Sequence, residues 1–159
     1  MCVRGIVVIS LVLLSTPALA GEWHAVINGK SIHFEGSGWN EANWGLGVMY
    51  DFSPKGQWIP SISGSIFRDS NDQISRYMGA GAKRRYMLSK QHNVRLDLGL
   101  FGFVMTREDH RNGNPFLGAL PFATLGYKRA GVNVIYIPSV SPKSVPLVYF
   151  QFTYKLFEF

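Results

Sequence analysis

Beyond residue 20 this 159-residue chain has no cysteine, its single one being Cys2. A segment without thiols carries no disulfide, no thiol nucleophile and no cysteine metal ligand. After residue 20 it also has no apolar run of the roughly 18 residues that a membrane-spanning helix needs. Neither a G-x-S-x-G nucleophile elbow nor a phosphate-cradling glycine loop occurs in it. Acidic residues are scarce, 10 Asp and Glu against 16 Lys and Arg, for a formal charge of +6. The basic residues form no clustered stripe, so nucleic acid is not the implied partner, whereas a spread excess suits anionic lipid headgroups. No Pro/Ser-rich linker divides the chain, which reads as one domain.

The first twenty residues are of another kind. Arg4 precedes an apolar run from Gly5 to Leu14, and Thr16-Pro17-Ala18-Leu19-Ala20 ends in a small-x-small cleavage pattern. Residues 1–20 are expected to be a secretory signal, too short for a retained anchor helix, with a mature domain over 21–159. In that domain aromatics and glycines are plentiful, 14% and 17 residues of the whole chain. This composition without long apolar segments suits an outer-membrane barrel, whose apolar face is spread over alternate residues of many strands.

Eight stretches read as strands: Trp23–Phe34, Glu41–Phe52, Gln57–Asp69, Gln73–Tyr86, His92–Thr106, Phe116–Lys128, Gly131–Pro138 and Pro146–Phe159. Turn chemistry separates them, including Ser53-Pro54-Lys55-Gly56, Asn71-Asp72 and Arg111-Asn112-Gly113-Asn114. The expected fold is all-β, an eight-stranded antiparallel transmembrane β-barrel. Val148, Phe150, Phe152, Tyr154 and Leu156 alternate with Gln151, Thr153 and Lys155, so even positions there face lipid and odd ones the lumen. Trp44, Leu46, Val48 and Tyr50 are likewise expected outside, with Gly45, Gly47 and Met49 inside. In the fifth strand the inward set runs Arg95, Asp97, Gly99, Phe101, Phe103, Met105, polar at one end and apolar at the other. A water-filled pore would be polar throughout, so the lumen reads as an internal hydrocarbon pocket. A soluble lipocalin-like barrel is the structural rival, but it would point its apolar residues inward only. The terminal Phe159 also favours the membrane form.

For chemistry, His24, His33, His92 and His110 lack helical i,i+4 spacing and a nearby second ligand set, so metal sites are set aside. What remains is His33, ending the first strand, and Asp69-Ser70, ending the third. The up-and-down path brings these ends to one rim, where a base, its orienter and a polarising or nucleophilic oxygen could serve acyl transfer. The plainer reading makes Asp69-Ser70 the start of a turn. Pro121 and Pro138 interrupt neighbouring strands. Proline donates no ladder hydrogen bond, so the pair either opens the wall or marks strand ends.

From about Asn28 to Phe159 the chain resembles the PagP family of outer-membrane lipid A palmitoyltransferases. The resemblance rests on Gly29-Lys30-Ser31-Ile32-His33, Asn40-Glu41 with Trp44-Gly45-x-Gly47, Phe67-Arg68-Asp69-Ser70, Gly79-Ala80-Gly81 and Thr106-Arg107-Glu108. It continues through Leu120-Pro121-Phe122-Ala123-Thr124-Leu125-Gly126-Tyr127, Tyr136-Ile137-Pro138 and Val148-Tyr149-Phe150. It implies an enzyme, an acyltransferase moving an acyl chain, typically palmitoyl, from a glycerophospholipid donor to lipid A. The family's essential histidine falls on His33, with His24 as rival placement, and its Asp-Ser pair on Asp69 and Ser70. Its glycine at the floor of the acyl-chain slot falls on Gly81, and its lateral lipid passage on Pro121 and Pro138. No cofactor is implied, and the expected state is a membrane-embedded monomer. Three departures stand out: no counterpart of the family's N-terminal helix, a shorter loop after His33, and Asn28 and Asn43 where prolines of a second gate are expected. The alternatives are a non-catalytic lipid-binding or structural barrel of the same ancestry, or a lipase that uses water as acceptor.

Overall fold

The computed structural model describes residues 20–108, 110–139 and 145–159. The signal segment expected over 1–20 therefore lies outside the described residues, except for Ala20, as does most of the expected connection 139–145. Eight strands close into one barrel in chain order, each antiparallel to its neighbours. They are β1 (Gly21–His33), β2 (Ala42–Phe52), β3 (Trp58–Arg68), β4 (Ile74–Ser89), β5 (Val94–Arg107), β6 (Phe116–Tyr127), β7 (Ala130–Ile137) and β8 (Leu147–Glu158). Every expected strand is present, and no end moves by more than three residues. The largest shift is in β4, which runs on to Ser89 because a bulge between Met87 and Ser89 breaks the side-chain alternation there. The ring is fastened where β1 meets the chain end: the Gly21 and Phe159 amides each donate to the other's carbonyl, at 3.2 and 3.1 Å.

Connections alternate in length, as the sequence suggests. One rim carries residues 34–41 and 69–73 and the ends of β5, β6, β7 and β8 that face the same way; the other carries 53–57, 90–93 and the two-residue turn 128–129. We call these the loop rim and the turn rim. Asp72, Asn93, Asn112 and Lys128 hold positive φ in four of these connections, which for asparagine and aspartate costs little.

The barrel is inside-out. Six apolar side chains are buried among the described residues, against fifteen polar or charged ones. Trp44, Leu46, Val48, Leu100, Leu117 and Leu125 lie exposed on the outer wall. Tyr50 also points outward but is covered, its ring 4.9 Å from Trp23 and 4.8 Å from Phe52.

Inside, the lumen has two halves. Toward the turn rim it is filled by ion pairs. Lys83 Nζ lies 2.7 Å from Asp51 and 3.6 Å from Asp97. Arg85 grips Asp97 in two hydrogen bonds of 2.9 and 3.1 Å. His24 Nε2 stands 3.3 Å from Asp51 and 3.5 Å from Glu22, and Lys155 reaches Glu22 at 3.2 Å. Toward the loop rim the lumen is hollow and mostly apolar, a slot lined by Phe67, Phe101, Phe103, Met105, Phe122 and Ile135 among others. Between the halves runs a hydrogen-bonded belt. Tyr149 and Gln151 both donate to Asn28 Oδ1 at 2.8 Å, and Gln151 also donates to Tyr77 at 3.1 Å.

The polar half is expected to fix the barrel's stability. Lys83→Met leaves Asp51 and Asp97 buried with less compensation, a change that typically costs about 3–5 kcal/mol. Urea unfolding of the detergent-solubilised protein, followed by the loss of heat-modifiable migration, should show a midpoint well below that of the parent.

Candidate active site at the loop rim

β1 carries His33 to the loop rim across a bulge. Its pairing with β8 skips from Asn28 to Ser31, and its pairing with β2 from Asn28 to Lys30. Before the bulge Val26 and Asn28 face the lumen; after it Ser31 and His33 do. The imidazole stacks on Trp39 from the loop 34–41, with centroids 5.3 Å apart and planes 16° from parallel. Its Nδ1 is buried without a hydrogen-bond partner, and Glu41 Oε1 is 3.9 Å away. The His33 amide donates to the same Glu41 oxygen at 3.5 Å.

Asp69 and Ser70 follow β3 on the same rim, and the turn reading holds for Asp69. Its Oδ1 accepts from the amides of Asn71 at 2.9 Å and Gln73 at 3.1 Å. Its Oδ2 accepts from Ser75 Oγ at 2.8 Å and faces Arg107 Nε at 3.3 Å. A carboxylate so occupied shapes the rim, and among the described residues no hydrogen bond or ion pair joins it to His33. The loop 34–41 links the two groups instead. The Asn40 amide donates to the Ser70 carbonyl at 2.8 Å, and Asn40 Nδ2 to the Asp69 carbonyl at 3.1 Å.

Several buried polar atoms here have no hydrogen-bond partner: Ser31 Oγ, His33 Nδ1, Asn43 Oδ1 and Gln73 Oε1. Buried polar groups are nearly always paired, so such atoms call for a partner such as water; the ion-paired half has them too, at His24, Asp51 and Arg95. Sequence reasoning missed Glu41, Trp39, Asn40, Arg107 and Ser75. Three of them, Asn40, Glu41 and Arg107, stand inside the motif segments quoted above, which was the available signal.

His24 lies elsewhere. It is 2% exposed in the ion-paired half, nine residues back along β1, on the order of 30 Å of strand from His33. One grouping of ligand-type residues is invisible to spacing along the sequence. Glu22, His24 and Asp51 bring one ligand atom each to within 4.8 Å of one another. Antiparallel pairing of Glu22 with Asp51, which no spacing within one segment reveals, assembles them. Lys83 already supplies a cation 2.7 Å from Asp51, so a divalent ion would enter a place where charge is balanced.

The wall is incomplete beside the slot. β6 and β7 pair over six residues only, from Phe122 with Ile135 to Tyr127 with Ala130. Toward the loop rim Leu120 and Pro121 on one side and Tyr136, Ile137 and Pro138 on the other make no ladder. Proline's missing N–H accounts for the stop. Leu120 and Ile137 also line the slot. A second hollow, a groove of about 900 Å³, runs past Ile27, Trp44, Phe150 and Phe152 on the outer wall to Lys30, His33 and Glu41. Gly81 sits on β4 between Ser61 and Phe101.

The family model for the antimicrobial peptide resistance and lipid A acylation protein PagP matches residues 21–153. Relatives named lipid A acyltransferase PagP include one from Legionella pneumophila, 36% identical over 101 residues, covering 63% of this chain and 52% of that one. Another, from Methylobacillus flagellatus, is 28% identical over 99 residues, covering 62% and 52%. A third, from Legionella longbeachae, is 29% identical over 120 residues, covering 75% and 51%. The chain thus spans about half the length of the relatives it matches. Among solved structures, the crystal structure of Ail, the attachment invasion locus protein of Yersinia pestis, aligns at TM-score 0.44 and 12% identity, covering 86% of this chain and 96% of that one.

Asp69→Ala removes the acceptor for two amides, the Ser75 hydroxyl and Arg107. Leaving such donors buried costs roughly 1–3 kcal/mol each where water cannot replace the lost bond. Hydrogen exchange should then show residues 69–75 and the loop 34–41 losing protection together, while β8 keeps its own.

Proposed function

This chain belongs to the PagP family, and we propose that it is an outer-membrane acyltransferase that moves an acyl chain from a glycerophospholipid to lipid A. One observation carries the reading: an apolar slot occupies the half of the lumen nearer the rim that bears His33, Asp69 and Ser70, and ion pairs fill the other half. The exposed apolar wall supports a barrel embedded in lipid as a monomer, with the loop rim toward the outer leaflet. The signal-like residues 1–20 agree with export to that membrane.

The unladdered stretch between Pro121 and Pro138 gives a donor phospholipid a lateral way into the slot. The donor's acyl chain lies down the lumen, and its ester stands at the rim. His33 takes the proton from the acceptor hydroxyl, whose oxygen bonds to the acyl carbon. The ester bond to glycerol breaks, a lysophospholipid leaves, and the proton passes from His33 to the departing oxygen. Glu41 is the carboxylate beside the imidazole; Asp69 holds the turn that presents Ser70. Ser70 donates to the oxyanion or attacks first, and the absence of a nucleophile elbow favours the former.

A non-catalytic lipid-binding barrel is the second reading, favoured by the lack of contact between His33 and Asp69. Mass spectrometry of lipid A from cells with and without the gene separates the two, since transfer adds one acyl chain. His33→Ala and Ser70→Ala should each lower turnover by at least about a hundredfold, the scale for losing a general base or an oxyanion donor. His24→Ala should keep the transfer and lose stability. Transfer that survives His33→Ala but not His24→Ala would reverse the assignment of the two histidines.

A further inference from the structure

The surplus positive charge of the barrel stands at one rim. In the half nearer the turn rim four acids, Glu22, Asp51, Asp97 and Glu158, face four basic side chains, Lys83, Arg85, Arg95 and Lys155. Lys55, Arg84, Lys90, Lys128 and Arg129 are left over there, in no ion pair among the described residues. In the half nearer the loop rim Lys30, Arg68 and Arg107 face Glu41, Asp72 and Asp69. Of the other described side chains in that half, Arg76 is outnumbered by Glu35 and Glu108. Three of the surplus cations lie over aromatic rings of the outer wall. Arg84 is 5.2 Å from the Tyr86 ring centroid, Lys128 5.1 Å from that of Tyr127 and Arg129 5.7 Å from that of Tyr154. All three rings are exposed. Outward tyrosines at strand ends mark the border between hydrocarbon and water, where long basic side chains bend toward the headgroups.

We propose that the outer face from Arg84 on β4 to the Lys128-Arg129 turn is a binding surface for an anionic glycerophospholipid. The basic side chains take the headgroup phosphate, and the acyl chains lie along the wall toward mid-membrane. The sheet register supplies both parts. Tyr86, Leu96 and Leu125 pair in one row across β4, β5 and β6, and Arg84, Leu98 and Ala123 in the next. Leu98 and Leu125 are exposed, so the wall between the cations is apolar. Only β5 separates β4 from β6, a span of about 10 Å that two long side chains can close on one headgroup. Arg129 contributes charge from a fixed place, since its Nε donates to the Lys155 carbonyl at 3.0 Å. A zwitterionic headgroup carries an ammonium that offsets its phosphate, so a cationic face with no acid beside it selects for net negative charge.

Only the leaflet in which this lipid sits rests on the orientation proposed above; the lipid preference does not. Native mass spectrometry of the detergent-solubilised protein, given equal amounts of phosphatidylglycerol and phosphatidylcholine with the same chains, reads that preference. The parent should retain phosphatidylglycerol over phosphatidylcholine by at least about fivefold, the worth of one basic side chain at an anionic lipid surface. Arg84→Gln/Lys128→Gln should bring the ratio close to one. Raising the ammonium acetate concentration should weaken the preference in the parent, a check that needs no variant to fold. Arg68→Gln/Arg76→Gln removes the same charge at the loop rim and should leave the ratio as it is. Equal retention of the two lipids by the parent overturns the proposal, as does a preference that survives Arg84→Gln/Lys128→Gln or resists salt. A preference lost as fully in the loop-rim pair would trace it to net charge and overturn the assignment to this face.

Discussion

Lys83 stands with its ammonium against two aspartates from other strands, Asp51 and Asp97, at 3% side-chain exposure. A lone buried charge of this kind is costly, and each of the three is tolerable only because the others are fixed in place. β2, β4 and β5 are therefore tied at one height, and the register of each determines whether the contact exists. Everything toward the turn rim continues the same network through Arg85, His24, Glu22 and Lys155. Everything toward the loop rim is released from carrying charge and can be apolar and hollow. The division of the lumen thus follows from where β4 places one lysine.

Hollowness needs its own account, since interiors close-pack when they can. Small side chains alone would not suffice, because the ring-bearing strands would fill the space. Here phenylalanines and glycines alternate across neighbouring strands, so that the rings fold onto the wall. Phe67, Tyr77, Tyr149, Phe101 and Phe103 then form a chain of ring contacts 5.7 to 6.4 Å apart around the cavity.

Much of this was legible in the sequence. All eight strands, the loop-length alternation and the outward faces of β2, β5 and β8 follow from period-two patterning and turn residues. A barrel offers strong signals of that sort, because one face of every strand meets an apolar surround. Contacts between residues far apart in sequence were not legible. The triad of Glu22, His24 and Asp51 and the occupation of Asp69 by Ser75 and Arg107 depend on register and side-chain direction. Local propensity does not encode either one. Gly81 shows the limit in another way: its lack of a side chain leaves room for the ring of Phe101 across the strand pair, a contact no local pattern announces.

The loop rim combines rigidity and vacancy in a way suited to chemistry. Asp69 spends its acceptor capacity on two amides, a hydroxyl and a guanidinium, so the turn it begins is held. Asn40 transmits that constraint to the loop 34–41, which is where Trp39 and Glu41 meet the imidazole. His33 Nδ1, Ser31 Oγ and Asn43 Oδ1 are left buried and unbonded beside these fixed groups. Eight residues, 34–41, suffice to carry Trp39 onto the imidazole and Asn40 onto the Asp69 turn.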